Sequence, residues 1–128
     1  MDPNTLKYTK DHEWIGKDGD VHVVGISDHA QGLLGDVTYV ELPAVGRALA
    51  KHEEAAVVES VKAASDVYAP AAGTVAEVNS ALDADPAPIN SDPYGKGWFF
   101  KLSGVDEADL ADLMDAAAYA KFVEEEAH

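Results

Sequence analysis

Apolar positions in this chain fall mostly in short runs with β-type composition rather than at helical spacing. Val21 to Ile26 is rich in β-branched residues and follows the turn signal Gly19-Asp20, so it predicts a strand. Glu13 to Gly16, which carries Trp14 and Ile15, predicts another. Val37 to Leu42 alternates and ends at Pro43, placing Thr38 and Val40 on one face and Val37, Tyr39 and Glu41 on the other. Ala55 to Val58 and Val67 to Ala69 are apolar runs on either side of Ser60-Val61-Lys62-Ala63, the second closed by Pro70. Thr74 to Val78 opens after Gly73, and the spacing of Val75 and Val78 breaks strict alternation, which predicts a bulge or burial on both faces. Trp98 to Leu102, after Gly97, is the last strand.

Helical signals are confined to two places. Ser27-Asp28 is a good N-cap pair before His29 to Leu34, and Gly35 is a stop, so a helix of about two turns is expected. Near the end, Leu110, Leu113, Met114 and Ala117 recur at steps of three and four, which predicts one helical face capped by Asp106. Asp115 then recaps a second helix, Ala116 to Glu126, with Tyr119, Phe122 and Val123 on one side. Asp83 to Pro93 holds three prolines in eleven residues and predicts an ordered loop. The fold class that follows is mainly β: a small antiparallel sandwich or flattened barrel with a short internal helix and a helical C-terminus. No linker, charge block or repeat divides the 128 residues. They read as a single domain, with a core over about 7–102 and a helical segment over about 106–126.

Composition narrows the function classes. Nine basic against 24 acidic residues give a net charge of −15, which argues against nucleic acid and against anionic membrane surfaces. The acids are spread along the chain, as in a solvated or salt-adapted surface; steering toward basic partners is the sharper reading. The absence of cysteine excludes disulfides, thiolate nucleophiles, iron–sulfur clusters and cysteine-bound zinc. No apolar run approaches the roughly 20 residues of a membrane span. Met1 to Lys10 has no apolar signal segment, so a cytoplasmic location is expected.

Catalytic and metal motifs are missing. His12 and Glu13 are adjacent, so a strand would point them to opposite faces and away from a shared metal. His22, His29 and His52 lack ligand spacing, and each histidine reads as a surface or packing residue. No nucleophile elbow, P-loop or dinucleotide glycine fingerprint occurs. Lys62 differs from the other cations: it stands between two β-type runs, with no other cation between Lys51 and Lys96. If the runs pair antiparallel, Lys62 lies near an exposed hairpin tip, where a modifying enzyme can reach it.

Around Lys62, the string Val58-Glu59-Ser60-Val61-Lys62-Ala63-Ala64-Ser65-Asp66 resembles the lipoyl-lysine motif of glycine cleavage system H proteins. The resemblance extends to Lys7-Tyr8-Thr9-Lys10-Asp11-His12-Glu13-Trp14, Val24 to Gln31, Leu34 to Val37 and Val40 to Pro43. It returns at Tyr68-Ala69-Pro70, Gly73, Glu77-Val78-Asn79 and Ile89 to Trp98. Each string alone is weak, whereas their order and spacing together are specific. One departure is His52, near a position where the family usually has glycine in a turn; histidine tolerates positive φ better than a branched residue does.

The resemblance implies the barrel-sandwich hybrid fold of lipoyl and biotinyl domains and a monomeric, non-catalytic carrier. Lipoate would be joined through an amide to Lys62, within the motif context of Glu59, Ser60, Val61, Ala63 and Asp66. The implied cycle moves the aminomethyl group of glycine from the pyridoxal-phosphate decarboxylase to the tetrahydrofolate-dependent aminomethyltransferase. Dihydrolipoamide dehydrogenase then takes the electrons, and lipoylating enzymes install the arm. Glu13, and Asp66 at a second family position, would line a cleft that holds the loaded arm, because its cationic amine suits a carboxylate. A biotin carrier is disfavoured because biotinyl lysines usually sit between methionines, whereas Val61 and Ala63 flank Lys62. A 2-oxoacid dehydrogenase lipoyl domain would be shorter, usually with Asp-Lys at the tip. An H-like lipoate relay feeding other lipoyl enzymes remains an alternative.

Overall fold

The computed structural model describes residues 1–126. Strands β1 (Lys7–Tyr8), β2 (Glu13–Asp18) and β3 (Val21–Ile26) lead into helix α1 (Asp28–Leu34). Strands β4 (Val37–Glu41), β5 (Ala48–Leu49), β6 (Glu54–Ser60), β7 (Ala64–Tyr68) and β8 (Gly73–Val78) follow. Two short helices, α2 (Ala81–Ala84) and α3 (Pro88–Ser91), precede β9 (Phe100–Ser103), and α4 (Ala116–Glu126) closes the described chain. Six strands form one sheet in the order β1-β2-β3-β9-β8-β5, and β4-β6-β7 form a second. Each strand pair is antiparallel. This is the mainly β barrel-sandwich architecture that the sequence predicts.

Two apolar clusters hold the molecule together. Ile15, Val24, Val40, Val58, Val75, Phe100 and Leu102 belong to the main core. Leu6, Tyr8, Trp14, Val23 and Tyr119 form the second, joined by the half-buried Phe122 and Val123 of α4. Adjacent residues of β2 and β3 therefore serve different clusters: Trp14 and Val23 pack with α4, while Ile15 and Val24 enter the main core. Burial on both faces explains why these strands lack polar–apolar alternation. Trp14 is fully buried, and its indole N–H donates to the carbonyls of Ile26 at 3.0 Å and Pro93 at 3.1 Å. The indole thus ties β2 to the segment before β9.

Helix α1 begins and ends where its caps predict. Ser27 Oγ accepts the Ala30 N–H at 3.1 Å, and the Gly35 N–H donates to the Gln31 carbonyl. The irregularity expected in β8 is a register shift between Val75 and Glu77. Three local expectations fail. A shift between Val37 and Tyr39 in β4 turns Val37 and Val40 inward together, so Thr38 and Val40 do not share a face. Asp83 to Pro93 is not all loop: it holds the end of α2 and the one-turn α3, because Leu82 and Ile89 are drawn into the main core. Leu110, Leu113, Met114 and Ala117 share no helix. Asp106 caps a 3₁₀ turn at Glu107–Leu110, Met114 forms a bridge to Tyr8, and Ala117 is exposed. The reciprocal backbone hydrogen bonds between Tyr8 and Met114 outcompete a helical register there. Asp115 does recap the chain, accepting the Ala118 N–H at 2.8 Å at the start of α4.

His52 has φ 71° in the turn between β5 and β6. A left-handed conformation costs a residue with a Cβ about 1–2 kcal/mol, partly offset in a comparison with glycine by the latter's greater chain entropy. His52→Gly is therefore expected to stabilise the fold by up to about 1 kcal/mol. Urea unfolding of the two chains checks it, and no gain would show that the turn carries no strain.

Candidate functional site

The hairpin joining β6 to β7 presents Lys62. Val57 to Glu59 pair with Asp66 to Ala64, and Ser60 and Ala63 close the turn through a 2.8 Å backbone bond. Neither Val61 nor Lys62 has positive φ, so the two-residue tip needs no glycine. Instead, Ser60 Oγ accepts the N–H groups of Lys62 at 3.2 Å and Ala63 at 3.1 Å, a role suited to a serine at the first turn position. The Val61 N–H donates to the Asp36 carbonyl at 3.1 Å, which anchors the tip beside the end of α1.

Lys62 is exposed, and among the described residues its ammonium makes no hydrogen bond or ion pair. Its stem crosses Gly35, where φ is 75° and an added Cβ would lie 3.2 Å from Lys62 Cε. Gly35 therefore has two reasons to be glycine: the left-handed backbone and the passage of the lysine stem. Asn90 braces the same corner. Its amide donates to Gln31 Oε1 at 3.0 Å and the Gly35 carbonyl at 2.9 Å, and its Oδ1 accepts the Val37 N–H. Lys51 provides the contrast. Its ammonium is held by the Asp109 carbonyl at 2.7 Å and the Asp112 carboxylate.

Next to Gly35 a cleft opens, with about 430 Å³ of free space including its mouth. Ile26, Leu33, Leu34 and Val58 supply apolar wall, while Asp11, Glu13 and Asp66 supply carboxylates. A larger groove at Glu41, Pro43, Arg47 and Glu54 lies at the other end of β4 and β6, away from the hairpin tip. Asp66 is exposed, whereas Glu13 is buried, at 2% exposure. Burial pushes Glu13 up to about 7, opposed by two hydrogen bonds and reinforced by nearby Asp11. Thr9 Oγ1 donates to Glu13 Oε1 at 2.6 Å, and the Tyr68 N–H donates to Oε2 at 3.1 Å. The carboxyl is therefore fixed from both sides and poised between neutral and charged forms near neutral pH. An incoming cation would draw it into the charged form.

A family model for the glycine cleavage H-protein matches residues 6–126. The chain belongs to that family. It is 61% identical over 122 residues to the glycine cleavage system H protein of Laribacter hongkongensis, covering 94% of this chain and 96% of the relative. It is 55% identical over 125 residues to that of Thermus thermophilus, covering 98% of each. A crystal structure of a glycine cleavage system H protein from Mycobacterium marinum superposes with a TM-score of 0.83 at 36% identity, covering 99% of this chain and 100% of the other. Members of the family are non-catalytic lipoate carriers of the glycine cleavage system, whose other components are their partners.

Glu13 and Asp66 line one cleft, and the Lys62 stem crosses Gly35, next in the chain to the lining residue Leu34. The other motif residues have structural duties: Ser60 and Ala63 close the hairpin, and Glu59 pairs with Tyr39 and Ala64 in the sheet. Thr9, Asp11 and the Tyr68 amide, which tune Glu13, are missed by motif reading at the site. Thr9 lies four residues before Glu13, within the family-like string, and a tight turn converts that spacing into contact. His12 leaves the strand pattern altogether: at φ 70° it precedes β2 and faces α1 and α4. Among the described residues no helix is long and apolar enough to cross a membrane.

Proposed function

We propose that Lys62 carries lipoate through an amide on Nζ, and that the whole chain works as one cytoplasmic carrier domain of the glycine cleavage system. It takes the aminomethyl group of glycine from the decarboxylase, delivers it to the aminomethyltransferase, and passes electrons to dihydrolipoamide dehydrogenase. The observation that carries this reading is the Lys62 ammonium, unpaired among the described residues, on an exposed tip whose stem crosses Gly35, next in the chain to Leu34 of the cleft that contains the tuned carboxyl of Glu13.

The residues present fit the group. The lysine is accessible, its stem has a glycine floor, and the cleft combines apolar wall with carboxylates. Lipoate bound there would supply a dithiolane able to accept a carbon unit and two electrons, chemistry that a chain without cysteine lacks. The protein's part is positional. Ser60 and the Asp36 carbonyl hold the tip, and Gly35 with Asn90 keeps a platform under the lysine. Glu13, oriented by Thr9 and the Tyr68 amide, would hold the cationic end of the loaded arm, with Asp66 as a second carboxylate. Ile26, Leu34 and Val58 would limit water around it.

Incubation of the full chain with a lipoylating enzyme, ATP and lipoate should add one lipoyl group, and peptide mapping should place it on Lys62. With the decarboxylase, the product should then support glycine–bicarbonate exchange. Biotin on Lys62, lipoate on Lys51, or a lipoylated chain inert in the exchange would overturn the reading.

A further inference from the structure

Three side chains, from the turn before β2, from α1 and from α4, meet at one place. Glu126 Oε1 stands 3.0 Å from His12 Nε2 and 3.8 Å from His29 Nε2. One donor atom from each of the three lies within 4.8 Å of the others. We propose that His12, His29 and Glu126 form a binding site for a zinc-class divalent cation that pins the end of α4 to the rim of the cleft.

The donor set is the first reason. Two imidazoles and one carboxylate suit a borderline cation such as Zn²⁺, whereas Mg²⁺ and Ca²⁺ require mostly oxygen ligands. Ligands at about 2.0–2.2 Å around a tetrahedral ion stand roughly 3.3 Å from one another. The His12–Glu126 pair is already near that spacing, and His29, on the first turn of α1, needs only a modest side-chain adjustment. The three side chains are 13%, 26% and 39% exposed, so an ion can enter from solvent and keep an open position.

The second reason is the support behind His12. Its Nδ1 lies 2.8 Å from the Tyr119 hydroxyl, which in turn lies 2.6 Å from Ser27 Oγ. Burial pushes Tyr119 up to about 12, so this hydroxyl keeps its proton. It can donate that proton to Ser27 and accept Nδ1–H from His12. In that arrangement the Nε2 lone pair faces Glu126 and is free for an ion, and outer hydrogen bonds of this kind are what orient a metal-binding imidazole. The left-handed backbone of His12, held by a 2.9 Å bond from the Ser27 N–H to its carbonyl, turns the ring out of the strand and toward α4. Such strain at a non-glycine position asks for a reason, and this orientation is one.

The site joins three elements. His12 and Ala30 also line the cleft, so an ion here would stiffen one cleft wall against the C-terminal helix. This assignment does not depend on the arm at Lys62.

The test uses the full, tag-free chain under non-reducing conditions, with ZnCl₂ as the probe in titration calorimetry. One saturable Zn²⁺ per chain is expected, undisturbed by excess MgCl₂. His29→Ala and Glu126→Gln should each weaken it at least ~10-fold. Zn²⁺ should raise the melting temperature of the parent and not of these variants, because only a ligand of the native state stabilises it. Both substitutions are at accessible side chains, and the metal-free melting temperature of each reports its folding independently. No saturable Zn²⁺ binding would overturn the proposal. So would binding that is unchanged in both variants, since the ion would then sit elsewhere, for example at His22 and Glu107.

Discussion

Lys62→Arg is expected to fold as stably as the parent, within about 0.5 kcal/mol, and to carry no lipoyl group at all. The reason lies in the separation between what Lys62 does and what its neighbours do. The hairpin turn is built from backbone bonds, the Ser60 hydroxyl and the Asp36 carbonyl, none of which involves the lysine head. Arginine keeps the charge and the aliphatic stem over Gly35 but offers no amine for amide formation. An exposed substitution that breaks no contact changes stability little. Urea unfolding should therefore overlay, while glycine–bicarbonate exchange falls to the level seen without any carrier. Lys51→Arg should instead keep the lipoyl group, although it disturbs the contacts to Asp109 and Asp112. Residual exchange by the Lys62 variant would mean that another residue carries the arm.

How much of this was legible in the sequence depends on the range of the interaction. The caps of α1 are local, so Ser27 and Gly35 mark both ends correctly. Strand β3 runs over the residues its β-branched composition marks, Val21 to Ile26. The hairpin was inferable because two apolar runs flank the short segment Ser60-Val61-Lys62-Ala63. The failures come from partners distant in the chain. Leu110, Leu113 and Met114 have helical spacing, but Tyr8 takes the Met114 backbone into a bridge, and tertiary pairing overrides propensity there. The same holds for Val37 and Val40, where a bulge resets the faces to suit the core. At the candidate site, the motif marks Glu13 but gives no hint that its carboxyl would be nearly enclosed. That follows from the Tyr68 amide, which arrives from the other sheet. The grouping of His12, His29 and Glu126 was likewise invisible, because its spacing belongs to the packing of α4 and not to any one element.

Glu13 should make stability depend on pH in a direction opposite to that of an ordinary carboxylate. Its folded value of about 7 exceeds the ordinary glutamate value of 4.5, because burial penalises the charged form more than Thr9 and Tyr68 favour it. Between pH 4.5 and 7 the native carboxyl keeps a proton that the unfolded chain has released. This contribution is therefore fully present below pH 4.5 and is lost as pH rises to about 7, by about 3 kcal/mol at most. In Glu13→Gln the component is absent, so the variant's unfolding free energy should fall less steeply than the parent's across that window. The shape of the curve is decisive, because glutamine also changes the bonds to Thr9 and Tyr68 and so shifts the absolute value. The same titration sets the cleft's hold on a cation. Above pH 7 the carboxylate is ready; below it, a proton must first leave, and the hold weakens about tenfold per pH unit. Spontaneous ammonia release from the purified loaded carrier should be faster in Glu13→Gln than in the parent at pH 8, by roughly 10-fold or more for the loss of a charged hydrogen bond. Toward pH 6 the two rates should converge, as the parent's carboxyl becomes neutral. A rate ratio that stays constant from pH 6 to 8 would detach the titration of Glu13 from protection of the arm. Equal rates at pH 8 would remove Glu13 from the cleft's function.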